Sequence, residues 1–217
     1  MAHDDFATEP HRGLDRHLPE GETILWQGQP RAWDLACAAM SLRWVIGYFL
    51  LLAAWRGIAL GGTEGLEAGL RAVSWYLVAG ALTCGIILLG AWVFARTTVY
   101  TITSSRVVMR IGAALTVSLN LPYKWIARAD LALAKNGSGS IHLDLKGETR
   151  FSYLVLWPHV RPWQMRRPQP TLRAIPDARK VAAILGAAAE ARVGEITSDL
   201  GTDDAAMPAP AGAVAAE

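Results

Sequence analysis

The residue types that most often carry catalysis or bind metal ions are sparse in this chain and do not group. The five histidines are scattered, at His3, His11, His17, His142 and His159. None has metal-ligand spacing to another histidine or to either cysteine, Cys37 or Cys84. The sequence contains no G-x-S-x-G, Walker or G-x-G-x-x-G motif. It therefore predicts no catalytic residue, no metal site and no cofactor, and a protein that is not an enzyme.

The most unusual segment runs from Trp157 to Pro168 and is called the Trp/Arg loop below. It combines two tryptophans, three arginines, one histidine and three prolines. Prolines make such a loop stiff and extended, and Trp and Arg are enriched in binding hot spots and at membrane interfaces. We predict that the loop binds a partner through six side chains: Trp157, His159, Arg161, Trp163, Arg166 and Arg167.

Three other interpretations of the Trp/Arg loop remain open. It can cover the open end of a β-sheet, with Trp157 in the core, or it can lie on a membrane surface. His159 can also be an axial ligand to a haem or chlorin, because a neutral imidazole binds such metals. A single histidine is weak support for that last role.

Composition and charge indicate that much of the chain does not face water. Of the 217 residues, 52% are hydrophobic and only 18% are charged, against about 25% charged in soluble domains. Residues 96–192 carry fifteen Lys and Arg but five Asp and Glu, a net charge of +10. Such a basic segment suggests an anionic surface, and membrane lipids are the first candidate. Nucleic acid is not expected, because no nucleic-acid-binding motif accompanies the charge.

Two apolar segments are long enough to cross a bilayer core of about 30 Å. Residues 72–95 contain no charge at all. The first segment is less clear, because Arg43 interrupts it; we favour a span of about 37–58, although a later start would place Arg56 inside the membrane. A Gly-rich loop, residues 57–70, connects the two segments. We expect no cleavable signal sequence, because residues 1–34 lack an apolar core.

Small residues mark one face of each predicted membrane helix. Gly80, Cys84, Ile87 and Ala91 share a face of the second, and Met40, Gly47 and Ala54 approximately share a face of the first. These faces favour packing within a hairpin, with self-association as the alternative. A short connection places both termini on one side, and the positive-inside bias places them in the cytoplasm, so the protein is expected in the bacterial inner membrane.

After Arg96 the pattern alternates with period two, which is typical of β-strands. Six strands are predicted, at 97–103, 106–111, 115–120, 125–133, 141–145 and 150–156, with Asn136-Gly137 as a hairpin turn. Residues 23–27 predict one more strand, able to dock on the later domain. Residues 157–176 predict an irregular loop with five prolines, and Pro176 and Asp177 open a closing helix to about Arg192.

The predicted organisation therefore has five parts. They are a flexible arm (1–17), a pre-membrane segment (18–34), a transmembrane hairpin (35–96), a mainly β domain with its closing helix (97–193) and a disordered acidic tail (194–217).

Two family resemblances add to this interpretation. Residues 18–30 (LPEGETILWQGQP), the hydrophobic hairpin and residues 100–110 (YTITSSRVVMR) resemble bacterial PH-like membrane proteins. This resemblance implies an α+β membrane protein with a PH-like β-sheet or barrel capped by a C-terminal helix. Residues 110–122, 153–163 and 170–178 resemble the purple-bacterial photosynthetic complex assembly proteins of the PuhB family, and residues 153–163 (YLVLWPHVRPW) are the most specific of these.

The second resemblance implies a non-enzymatic assembly factor for the photosynthetic reaction centre and its light-harvesting complex, in the chromatophore membrane. Reaction-centre and light-harvesting subunits and anionic lipids would then be its partners. The alternative is a lipid-headgroup-binding PH-like module without a photosynthetic role.

Overall fold

A computed structural model describes residue 14 and residues 18–112, 116–147 and 151–205. The helices are α1 (Ala32–Ala39), α2 (Leu42–Thr63), α3 (Leu66–Thr97), α4 (Tyr153–Leu156) and α5 (Ala178–Ala205). The strands are β1 (Ile24–Gly28), β2 (Val99–Thr103), β3 (Arg106–Ile111), β4 (Val117–Pro122), β5 (Ile126–Leu133), β6 (Gly139–Leu145) and β7 (Thr171–Ile175). The predicted arm lies outside the described residues apart from Leu14, which is buried, and so does the tail from residue 206.

Helices α2 and α3 form an antiparallel hairpin and are long and apolar enough to cross a membrane. The predicted loop over 57–70 is wrong, because both helices continue through it and only Glu64 and Gly65 separate them. Close approach explains two of the glycines there, Gly57 and Gly69: a Cβ on Gly69 would lie 2.7 Å from the Gly57 carbonyl oxygen. Gly65 lies between the helices with a positive φ of 94°, which suits a turn.

The first apolar segment is divided in two, so the favoured span of 37–58 is wrong. Helix α1 ends at Ala39, Ser41 has a left-handed backbone (φ 56°), and α2 begins at Leu42. Arg43 therefore lies at the start of α2, and Arg56 lies within the helix. This agrees with the alternative span, which begins later in the sequence and includes Arg56. Neither Gly nor Pro marks the break in the sequence.

The small face predicted for α3 is confirmed. Ala91 is buried with Ala36 and Leu42, and Cys84 and Ile87 pack against that cluster. Gly80 meets the Phe49 side chain, where an added Cβ would lie 2.9 Å from the Phe49 Cβ. The face proposed for the first helix is partly wrong, because nothing lies within 4 Å of a Cβ on Gly47.

Two antiparallel sheets follow the hairpin, with strand orders β1-β2-β3-β4 and β5-β6-β7. Strand β1 pairs with β2, with Gln27 opposite Thr101, so the strand before the helices docks on the later domain as predicted. The core between the sheets includes Tyr100, Met109, Leu143 and Leu172, and α5 closes it with three buried side chains: Val181, Leu185 and Ala188. The predicted architecture, a helical hairpin followed by a β domain with a C-terminal helix, is confirmed.

Three boundaries in the C-terminal half need correction. The predicted strand at 150–156 is wrong for the residues that the structure describes, 151–156, because Tyr153–Leu156 is a short helix. The predicted irregular loop contains β7, which pairs with β6 as the third strand of the second sheet. Helix α5 continues to Ala205, so the predicted disordered tail from 194 overlaps a helix.

Candidate interaction site

The Trp/Arg loop begins at the end of α3, where the hairpin meets the β domain. The Trp157 ring contacts Phe94 edge-on, with 5.4 Å between ring centroids. Trp157 is 40% exposed, so the interpretation that placed it in the core is wrong. His159 and Val160 occupy the buried position instead.

His159 belongs to a buried polar cluster with Thr98, Tyr100 and Arg173. Its Nδ1 lies 2.6 Å from the Tyr100 hydroxyl oxygen and its Nε2 lies 3.0 Å from the Thr98 hydroxyl oxygen. The Arg173 backbone N–H also donates to the Tyr100 oxygen, at 3.1 Å. The Tyr100 proton is therefore available to His159 Nδ1, and the proton on Nε2 donates to Thr98.

This arrangement removes two predicted roles of His159. The residue has no exposed surface, so it cannot touch a partner in this conformation and does not belong to the contact set. Both ring nitrogens are already hydrogen-bonded. No lone pair remains for the metal of a haem or chlorin, and the axial-ligand interpretation is wrong for this structure.

The cluster is electrically neutral apart from Arg173. Burial, together with the nearby Arg173 charge, lowers the pKa of His159 to about 3. Burial also raises the pKa of Tyr100 well above its ordinary value. A general acid or base needs a pKa near the working pH and access to substrate. The two side chains have neither, so their geometry is structural.

Arg173 connects the cluster to the hairpin. Its guanidinium donates to the backbone oxygens of Pro158 and Val160, at 3.1 and 3.0 Å, and to that of Ala38 in α1. The carbonyls at the end of α1 lack intrahelical partners because the helix breaks there. One buried arginine therefore fixes the base of the Trp/Arg loop and the end of α1 in a single arrangement.

The outer part of the loop is exposed and mixes apolar with basic side chains. Trp163 is 90% exposed and Met165 68%, and Leu154 in the preceding α4 is 84% exposed. Arg166 and Arg167 are also exposed. Large exposed apolar side chains beside arginines are typical of a surface that binds another molecule. We call Leu154, Trp163, Met165, Arg166 and Arg167 the exposed patch.

Arg161 differs from the other loop arginines because it is half-buried and tied to neighbouring groups. Its guanidinium donates to the Asp130 carboxylate at 3.2 Å and to the Gln169 side-chain oxygen at 3.1 Å. Asp130 lies on β5, so Arg161 joins the loop to that strand. The structure thus brings Trp163, Arg166 and Arg167 to the surface and leaves Trp157 and Arg161 at the base.

Sequence reasoning did not identify Arg173 or Tyr100 as members of the site. The available signal was a single arginine inside the apolar run Thr171–Ile175, which the flanking prolines obscured. Within the part of the chain that the structure describes, no group of three or more His, Cys, Asp or Glu side chains could hold a metal ion.

Comparison with known proteins gives two matches. The sequence profile described as "Bacterial PH domain" matches residues 39–189. A Rhodobacter capsulatus protein is 46% identical over 197 residues, which cover 90% of this chain and 92% of that protein. Its printed name is "Uncharacterized 23.7 kDa protein in puhA 5'region". No solved structure matches.

Proposed function

The chain belongs to the bacterial PH domain family, and from that premise we propose that it is a non-enzymatic assembly factor for the photosynthetic reaction centre and light-harvesting complex. One observation carries the photosynthetic part: the gene of the 46% identical relative lies in the 5′ region of the reaction-centre gene puhA. The resemblance to the PuhB family points to the same system.

The exposure of the hairpin supports a membrane location. In the most apolar windows of α2 and α3, only 6% and 11% of the residues are buried. A core helix of a soluble protein would be mostly buried, whereas Trp44 and Ile58 are 83% and 78% exposed. Lipid is the environment that suits such surfaces. The 22 residues of α2 span about 33 Å at 1.5 Å per residue.

Strand pairing and charge support the proposed topology. Because β1 and β2 pair directly, the chain enters and leaves the hairpin at the same end. A hairpin that crosses the membrane would therefore have both flanks on one side. The net charge of +10 in residues 96–192 favours the cytoplasmic side, where the membrane surface is anionic.

In this proposal the exposed patch holds the cytoplasmic side of an immature complex while α2 and α3 lie beside its helices. Trp163, Arg166 and Arg167 make the direct contacts, with Trp157 and Arg161 at the edge. The buried polar cluster fixes the loop base, which reduces the entropy lost when a partner binds.

Gene deletion tests this proposal. Deleting the gene in a phototrophic host should lower reaction-centre absorbance and light-driven charge separation, and the wild-type gene should restore both. A triple variant, W163A/R166A/R167A, should insert in the membrane without restoring them. The matched control K124Q/K146Q changes exposed cations elsewhere and should restore them. Normal reaction-centre levels in the deletion strain would refute the assembly role.

A further inference from the structure

A second surface, separate from the exposed patch, lies where α1 and the start of α2 face the β5–β6 hairpin. It is a groove of about 550 Å³ lined by residues from α1, α2, the hairpin and β7. Small-molecule sites in proteins occupy about 300–1,000 Å³. The lining residues that matter are Asp34, Cys37, Arg43, Leu133, Lys135 and Asn136.

The groove carries two cations without partners. Within the described residues, neither the Arg43 guanidinium nor the Lys135 ammonium makes a hydrogen bond or an ion pair, and both side chains are exposed. The carboxylate of Asp34 accepts a hydrogen bond from the Asn136 amide at 2.8 Å. The lining therefore has an excess of one positive charge and suits an anionic ligand.

The walls between these charges are apolar. Cys37 and Ala38 of α1 and Ala174 of β7 form one side, and Ala132 and Leu133 form the hairpin side. Leu133 is 44% exposed. A ligand that fills the groove must therefore combine an anionic group with apolar surface. Free inorganic phosphate would satisfy the cations but leave these walls unused.

Arg43 is the second residue of α2, at the end that faces the β domain. If α2 crosses the membrane as proposed, the groove opens at the level of the lipid headgroups. We infer that it binds the phosphodiester of an anionic glycerophospholipid between Arg43 and Lys135, with the lipid's apolar part against Leu133 and Cys37. This inference rests on the membrane location in the proposed function, and not on the photosynthetic partner.

The test measures phosphatidylglycerol binding to the purified full chain in mild detergent by native mass spectrometry. The double variant R43Q/K135Q should bind phosphatidylglycerol about 30-fold more weakly, since each cation near an anionic lipid contributes roughly a factor of five. The control K124Q/K146Q removes the same charge from exposed positions on the β domain and should bind normally. Inorganic phosphate at millimolar concentration should not displace the lipid.

Three results would overturn the inference: equal weakening in both double variants, no weakening in either, or displacement by inorganic phosphate. Carbonate extraction of membranes shows separately whether R43Q/K135Q still inserts. Binding in detergent requires no reaction-centre subunit. Normal reaction-centre levels in the deletion strain would therefore refute the assembly role and leave the lipid site unaffected. Lipid binding that does not depend on Arg43 and Lys135 would refute the lipid site and leave the assembly role unaffected.

Discussion

Replacing Tyr100 with phenylalanine removes one oxygen from the buried polar cluster and keeps the ring. That oxygen is within hydrogen-bond distance of His159 Nδ1, at 2.6 Å, and the Arg173 backbone N–H, at 3.1 Å. Both groups would be left unsatisfied in a site from which water is excluded. At about 1–3 kcal/mol for each unsatisfied buried group, Y100F should destabilise the protein by roughly 3 kcal/mol. For a chain of this size, that lowers Tm by about 6–12 °C.

Thermal unfolding of the full chain in detergent, at one fixed scan rate, measures this effect. An isolated C-terminal fragment would be unsuitable, because it lacks β1, which completes the first sheet. Y153F is the matched control: within the described part of the chain, the Tyr153 hydroxyl makes no hydrogen bond. Y123F removes a single bond, from the Tyr123 hydroxyl to the Thr103 carbonyl at 2.6 Å, and should fall between them. A Y100F shift no larger than that of Y153F would refute the role given to the cluster.

Three further predictions concern pH, helix packing and the N-terminal segment. The pKa of His159 is about 3 in the folded protein and about 6.5 when unfolded. Between these pH values the unfolded chain binds one more proton than the folded chain. The free energy of unfolding should therefore fall as the pH drops from 6.5 to 5, by up to about 1.4 kcal/mol per pH unit. H159Q should lose this pH dependence when thermal unfolding is measured at several pH values. G69A should lower Tm in detergent by several degrees because its Cβ meets helix backbone, whereas G47A should not; equal effects would contradict the close packing. Although burial raises the pKa of Glu22, hydrogen bonds from Thr103 and Arg106 lower it overall. E22Q should therefore cost about 2 kcal/mol in urea unfolding at pH 7, and the cost should shrink as the pH falls through the lowered pKa of Glu22.

Most of the fold follows from local patterns in the sequence. The charge-free residues 72–95 predict a helix because nothing in them opposes burial in lipid. Strands β4 and β6 alternate between buried and more exposed residues, and β2 and β3 contain several β-branched residues. A hairpin turn forms at Asn136-Gly137, with a positive φ at Gly137 and not at Asn136. These features depend on residues close together in the chain, so composition and spacing are sufficient to predict them.

The errors occur where distant residues decide the outcome. Residues 150–156 have strand-like composition, but β7 occupies the place beside β6. His159 lies among polar and proline residues that suggest a surface loop, yet Thr98 and Tyr100, far away in sequence, supply its buried partners. The break between α1 and α2 has no local marker, and Arg173 satisfies a carbonyl at the end of α1. Such long-range hydrogen bonds leave no periodic signal in the sequence.

Photo-crosslinking from position 163 in native membranes tests the central claim most directly. A photoreactive phenylalanine analogue replaces Trp163, which is 90% exposed, and the same analogue replaces Lys124 as a control on another part of the domain. The account predicts that position 163, and not 124, crosslinks to a reaction-centre or light-harvesting subunit during assembly. Crosslinks from position 163 only to lipid or to unrelated proteins, in cells that are assembling reaction centres, would contradict it.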